Sequence, residues 1–299
     1  METNIVQFLL ELQKLNIRIT IDGNKIRGSA PDGVLTKELV SKIQENKAAI
    51  IDFLKKTSDT SNELQPIVHD EEHQYEPFPL TDVQQAYWVG RSNEFELGNV
   101  ATHMYMEFEE KDLNIDNLEA AWNGLIDRHE MLRAIVRPDG MQVVLPEVPH
   151  YKFEENNFVD TSEEETEKEL LFIRDVMSHQ VMPADKWPLF DVRISRLKDT
   201  VFRIHMSIDL LIADALSWQI LFRELIQLYV DPTAKLQPIK VSFRDFVFAE
   251  IELKNSNLYK RSLEYWRECI KDLPGAPELP LIKNPSSVEA PHFVRRQAE

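Results

Sequence analysis

The chain has 299 residues, is 43% hydrophobic without a long apolar run and carries a formal net charge of −17, which allows two units with sizeable cores and excludes a transmembrane span. The acidity excludes a nucleic-acid partner, because a phosphate backbone needs a basic footprint. The single cysteine, Cys269, excludes an intramolecular disulfide framework and a multi-cysteine metal site; with no membrane segment and no signal-peptide pattern after Met1, a cytoplasmic location is the simplest reading. Charge is also uneven. Residues 1–56 hold nine Lys/Arg against seven Asp/Glu, leaving 25 against 44 for the rest, a break that suggests two modules with different partners.

Ile5, Phe8, Leu9, Leu12 and Leu15 form a helical stripe at the start of the chain. Ile17 to Ile21 then alternates as a strand, Asp22-Gly23-Asn24 has hairpin-turn chemistry, and Lys25 to Arg27 returns. After a second turn at Pro31-Asp-Gly33, Leu35, Leu39, Ile43, Ile50 and Leu54 predict a further helical region, either continuous or in two pieces. This unit of about 55 residues is small enough for its core to be marginal, so dimerisation or a partner is expected to help. Residues 57–76, rich in Ser, Thr, Asn, Asp, Glu and Pro, read as a flexible acidic linker.

The main domain is expected over 77–250. Thr81 is placed to cap a helix carrying Val83, Ala86, Tyr87 and Val89, with Arg91 near its end. Val100 to Phe108 alternates as a strand. Asn114 to Leu132 predicts a helix with Leu118, Trp122, Leu125 and Ile126 on its buried side, ending in Arg128-His-Glu-Met-Leu-Arg133. Around Pro138-Asp-Gly140 a hairpin is expected, followed by a helix opening at the acidic run from Glu163 and a strand over Asp191 to Leu197. Val201 to Asp209 is the next strand: Phe202, Ile204, Met206 and Ile208 fall on one face, and Arg203, His205, Ser207 and Asp209 on the other. From Asp214 the period becomes helical, through Leu216, Ile220, Leu221, Leu225 and Leu228, and Asp214 is well placed as N-cap ahead of Ser217. This polar strand face running into a helix start predicts a cleft wall. Two further helices are expected over Ser242 to Ile251 and Tyr259 to Ile270, with 251–299 leading onward.

Asp209 and Asp214 are open to two readings on spacing alone, a catalytic pair or ordinary caps and ion pairs. The run Asp209-Leu-Leu-Ile-Ala-Asp214 with Ser217 resembles the core motif of the heterocyclization domains of nonribosomal peptide synthetases. These are relatives of condensation domains, in which His-His-x-x-x-Asp-Gly occupies the same place; Asp209 stands at the first His, Leu210 replaces the second, and Asp214 matches the Asp. Phe78-Pro-Leu-Thr-Asp-Val-Gln-Gln-Ala-Tyr-Trp-Val-Gly-Arg91, Arg128-His-Glu-Met-Leu-Arg133 and Leu273 to Pro285 resemble three further signatures of that family, in its order. Residues 1–56 resemble the N-terminal docking domains of tubulysin-type assembly lines.

The resemblance implies an α/β protein: a small α/β docking domain, then a chloramphenicol-acetyltransferase-like lobe with a central mixed sheet, with residues 251–299 approaching a second lobe. It implies a docking hairpin that binds the C-terminal tail of an upstream subunit, where Arg18, Lys25 and Arg27 could meet acidic residues. It also implies acyl or peptidyl carrier partners, with substrates on their phosphopantetheine arms and no directly bound cofactor. The implied chemistry is condensation and cyclization of carrier-bound Cys, Ser or Thr to thiazoline or oxazoline; a non-catalytic docking role and amide formation without cyclization are the alternatives. Asp209 is the candidate acid or base, and Asp214, His205, Ser217, Arg128, Tyr87 and Arg91 support the motif. A buried Asp214 would need a cation, and Arg133 is the expected partner.

Overall fold

The computed structural model describes the chain except residues 1–4, 6, 7, 10, 13, 14, 16, 23, 24, 32, 33, 35, 63–65, 92–99, 199, 276–279, 282–286 and 288–299, and it omits the side chains of 18, 21, 22, 37 and 55–62. Much of the expected Leu273 to Pro285 signature and both central residues of the first hairpin turn therefore lie outside the described residues. The chain divides into two compact units, Met1–Pro66 with Ala249–Pro274, and Ile67–Phe248 with Gly275–Glu299.

In the first unit, β1 (Arg18–Asp22) and β2 (Lys25–Ser29) pair antiparallel, with Asp22 opposite Lys25. Helices α1 (Lys37–Glu45) and α2 (Lys47–Asn62) follow. Thr36 caps α1 by accepting from the Leu39 N–H at 3.2 Å. Ile5, Leu12, Ile17 and Ile50 are buried, so the apolar stripe of the first residues and the α2 stripe both supply core. Lys25 and Arg27, two apart on β2, share one exposed face.

The second unit is built on a four-stranded mixed sheet in the order β4 (His103–Lys111), β9 (Val201–Asp209), β8 (Phe190–Arg196), β7 (Glu154–Asn157), the last pair parallel and the others antiparallel. A smaller sheet has β6 (Met141–Val144) between β3 (Phe78–Pro79) and β5 (Ala134–Val136). The helices are α3 (Asp82–Gly90), α4 (Ile115–Arg128), α5 (Glu163–His179) and α6 (Ala215–Val230). Helix α7 (Phe243–Leu253) begins in this unit, and α8 (Asn257–Lys271) falls in the other.

Strand β9 is paired along both edges, and packed side chains cover both of its faces. Phe202, Ile204, Met206 and Ile208 join one core with Trp122 and Leu125 of α4 and Leu221 and Leu225 of α6. Trp122 is 1% exposed and meets Phe190 edge-on, with centroids 5.3 Å apart. On the opposite side Leu170, Ile173 and Met177 of α5 form a second cluster with Phe158, against which Tyr105 and Leu197 pack. The polar face of β9 is therefore interior: His205, Ser207 and Asp209 are all fully buried. The expected open cleft wall gives way to a buried polar layer, because α5 covers the sheet there.

The stretch expected as a flexible linker over 57–76 is also different. Helix α2 continues to Asn62, and the segment from His69 onward is fastened to the start of α7. His69 Nδ1 lies 2.7 Å from Asp245 Oδ2, the Asp70 N–H donates to Asp245 Oδ1 at 3.1 Å, and Arg244 donates to Asp70 at 3.2 Å. Asp245 also accepts from the Ser242 N–H at 2.9 Å. Burial pushes the Asp245 carboxyl up, but these hydrogen bonds prevail and hold it at about 2. A polar composition that suggests solvation is here satisfied by residues some 175 positions away.

Candidate functional site

Strand β9 ends at Asp209, and Asp214 starts α6, so the motif is a four-residue loop joining the central strand to a helix. Asp214 is exposed and caps the helix: its Oδ1 accepts from the Ser217 N–H at 2.8 Å and the Ser217 hydroxyl at 2.7 Å. Those bonds hold its carboxyl below the usual range.

Asp209 is the buried member. Its side chain is fully inaccessible and forms an ion pair with the guanidinium of Arg91, whose side chain is 7% exposed. Asp209 Oδ1 accepts from the Leu211 N–H at 2.9 Å, turning the chain out of the strand. The Ile212 N–H donates to the Asp209 carbonyl at 3.1 Å, and the Leu210 N–H to the Thr102 carbonyl at 2.9 Å. Arg91, at the C-terminal end of α3, donates a second time to the Met182 carbonyl at 2.7 Å. Burial lowers its pKa to about 10, which still leaves it a cation at neutral pH.

The expected pair between Arg133 and Asp214 does not form. Arg133 is buried and donates to the carbonyls of Ile126 at 2.5 Å, Asp127 at 2.7 Å and Leu145 at 3.1 Å. The first two belong to the last turn of α4, where carbonyls lack intrahelical partners and a cation is favoured. Asp214 needs no cation, being exposed and already used by the α6 N-terminus. The buried carboxylate of the motif is Asp209, and its cation is Arg91.

The rest of Arg128 to Arg133 joins α4 to α6. Arg128 Nε and His129 Nε2 lie 2.9 and 2.7 Å from Glu224 Oε2, and Arg128 also donates to the Gln237 carbonyl at 2.5 Å. Burial pushes the His129 imidazole down. Tyr87 is half-buried against the main core and makes a packing contribution.

His205 lies two turns of the pleat before Asp209, in a buried polar chain. Ser195 Oγ is 3.1 Å from its Nε2, and Tyr105 Oη is 3.0 Å from its Nδ1. The Tyr105 hydroxyl donates to Glu107 at 2.7 Å, so Nδ1 carries the imidazole proton and Nε2 accepts from Ser195. Burial pushes His205 down to about 4. Burial pushes Glu107 up, but the two bonds from Arg174, at 2.5 and 2.6 Å, and the Tyr105 bond hold it at about 2. Tyr105 is itself raised, by burial and then by Glu107. The result is a neutral His205 next to a fixed carboxylate.

Tyr105, Glu107, Ser195 and Arg174 were not legible as parts of this cluster, although the register of β4 on β9, Tyr105 opposite Ser207 and Glu107 opposite His205, follows once the strands pair. In the first unit Lys25 and Arg27 are exposed on β2, and the Arg18 side chain lies outside the described residues. Among the described residues no three His, Cys, Asp or Glu side chains are placed to hold a metal, and no helix is long and apolar enough to cross a membrane.

A mixed sheet ending in this loop defines a chloramphenicol-acetyltransferase-like lobe, and comparison with known proteins agrees. Residues 74–293 match the family described as Condensation domain, and residues 5–56 match the TubC N-terminal docking domain. The chain belongs to the condensation-domain family. It is 33% identical to the EpoB NRPS cyclization-docking bidomain from Sorangium cellulosum, with a TM-score of 0.75 over 95% of this chain and 56% of that one. Pyochelin synthetase PchF of Pseudomonas aeruginosa is 32% identical over 286 residues, 95% of this chain and 15% of that protein. Bacitracin synthase 1 of Bacillus licheniformis is 37% identical over 224 residues, 75% of this chain and 4% of that protein. The chain thus spans about half of the solved bidomain and a small fraction of the two synthetases.

Proposed function

We propose that this chain is the docking and first-lobe portion of a cyclizing nonribosomal peptide synthetase subunit acting in the cytoplasm. Its likeness to a cyclization-docking bidomain over 95% of its length carries the reading, because that likeness extends through both units. In this reading residues 1–56 bind the acidic C-terminal tail of an upstream subunit along the β1–β2 hairpin, by strand addition, with Arg18, Lys25 and Arg27 meeting its charges. The condensation lobe contributes to joining an acyl or peptidyl thioester to carrier-bound Cys, Ser or Thr, then to closing the thiazoline or oxazoline ring. Both substrates ride on the phosphopantetheine arms of partner carrier domains, and the lobe's task is to orient them and exclude water.

Within that chemistry Asp209 orients the motif loop through its pair with Arg91, and Asp214 fixes the start of α6. The test is reconstitution: residues 1–299 with a separately expressed second lobe, or the intact subunit, supplied with loaded carriers and read by product mass. A product lighter than the linear amide by one water supports the reading. Linear amide alone assigns amide-forming condensation, and no product from either form leaves only the docking role.

A further inference from the structure

The motif loop is also held at a second point, by a pair of buried primary amides. Gln84 and Gln142 are 5% and 1% exposed. Each donates to the other, Gln84 Nε2 to Gln142 Oε1 at 3.0 Å and Gln142 Nε2 to Gln84 Oε1 at 3.0 Å. The second proton of Gln84 goes to the Leu211 carbonyl at 2.7 Å, and that of Gln142 to the Pro79 carbonyl at 2.8 Å. Gln84 Oε1 also accepts from the Thr81 N–H at 3.0 Å, completing the capping box of α3. Carbonyls only accept, so Leu211 and Pro79 fix which way both amides point. Every donor and acceptor site of Gln84 is filled.

Gln84 and Arg91 are seven residues apart, two turns along α3, and so lie on one face of it. That face grips the loop twice: Arg91 holds the Asp209 carboxylate, and Gln84 holds the Leu211 carbonyl. Gln142 in turn ties Gln84 to the small sheet, being paired with Phe78 across β3 and β6. A buried amide pair adds little net stability over an apolar pair of similar shape, since its hydrogen bonds only replace those made to water. What it adds is direction.

Accordingly we propose that Gln84 and Gln142 are positioning residues for the Asp209–Asp214 loop, with Gln84 acting through Leu211 to set the geometry in which Asp209 meets Arg91. The proposal rests on the functional reading above for its catalytic consequence, but its structural core can be tested without turnover. The Leu211 and Ile212 amides donate to Asp209, so their hydrogen exchange reports on the loop, while the His205 and Met206 amides report on β9.

In residues 1–299, Gln84→Met is expected to speed exchange at Leu211 and Ile212 at least tenfold and to leave His205 and Met206 within twofold. In the intact subunit the same variant is expected to lower kcat about tenfold, with the KM for carrier-bound acceptor within twofold. Gln84→Met/Gln142→Met leaves no unpaired side-chain amide, though the Thr81 N–H and the Leu211 and Pro79 carbonyls lose partners; it is expected to fold at lower stability than the parent while keeping both defects, so it serves if the single variant fails to fold. Parental loop exchange in either folded variant, or equal acceleration in loop and strand, overturns the proposal. A parent subunit that yields no cyclized product would sink the functional reading while the exchange result still stands or falls alone.

Discussion

Replacing Asp209 by Ala is the sharpest perturbation of the motif, because it strands the Arg91 guanidinium in the interior. The Asp209 side chain is fully buried and that of Arg91 is 7% exposed, so solvent cannot take over the lost partner. Removing one member of such a buried pair costs about 3–5 kcal/mol. For a lobe of this size each kcal/mol shifts the melting midpoint by about 2–4 °C, so Asp209→Ala should melt roughly 10 °C below the parent. Asp214→Ala removes only an exposed N-cap, at about 1 kcal/mol and therefore about 3 °C. Arg91→Met/Asp209→Leu removes both charges and should recover much of the loss, since a buried pair is replaced by apolar groups. Recovery is incomplete, because the Leu211 N–H and the Met182 carbonyl then lose partners, each worth about 1 kcal/mol. Tryptophan fluorescence during heating reads the transition, as Trp88, Trp122, Trp187 and Trp218 lie within Ile67–Phe248. An Asp209→Ala variant melting with the parent, or a double variant whose loss equals the sum of the singles, would refute the argument.

Two further outcomes follow from the buried polar groups. His205, held down at about 4, stays neutral in the fold while the unfolded chain protonates near 6.5, so its contribution to stability should fall as pH drops from about 6.5 to 4, by up to about 1.4 kcal/mol per pH unit. Stability curves of the parent and His205→Gln should diverge in that window, whereas Glu107, held at about 2, acts only below about 4.5; parallel curves down to pH 4 would contradict the assigned environment. Arg133→Met should lower the melting midpoint by several degrees through loss of the α4 carbonyl bonds, and the double variant Arg133→Met/Asp214→Ala should be additive within about 0.5 kcal/mol. A coupling above 1 kcal/mol in denaturant titrations would restore the discarded ion pair.

The elements around the site were legible wherever local pattern decides them. The period change at Asp214 located both β9 and α6, and its cap geometry followed from residue type alone. Thr81 and Gln84 likewise carry a capping-box spacing, which identifies the start of α3 and could have singled out Gln84. Partner choice was not legible. Arg91 and Asp209 are 118 positions apart, and nothing local distinguishes Arg91 from Arg133 as the cation. What decides is competition: the unpaired carbonyls at the end of α4 claim Arg133 first. Strand β7 escaped notice because Glu154 to Asn157 has poor strand propensity and is held by parallel pairing to β8. The segment from His69 reads as solvated linker for a similar reason, since its partners Arg244 and Asp245 lie far along the chain.

The same competition bears on what Asp209 can do. The Asp209 carboxylate is committed to the Arg91 guanidinium. Asp209 is also wholly enclosed, with Oδ1 occupied by the Leu211 N–H and Arg91 at the carboxylate. A group from outside could reach it only after α3 and the loop separate, which would break the grip that Arg91 and Gln84 exert from one helix face. His205 is no better placed as a proton carrier, being neutral, enclosed and bonded at both ring nitrogens. The first aspartate of the motif is therefore a structural fastening: it fixes where β9 ends and where the loop into α6 begins.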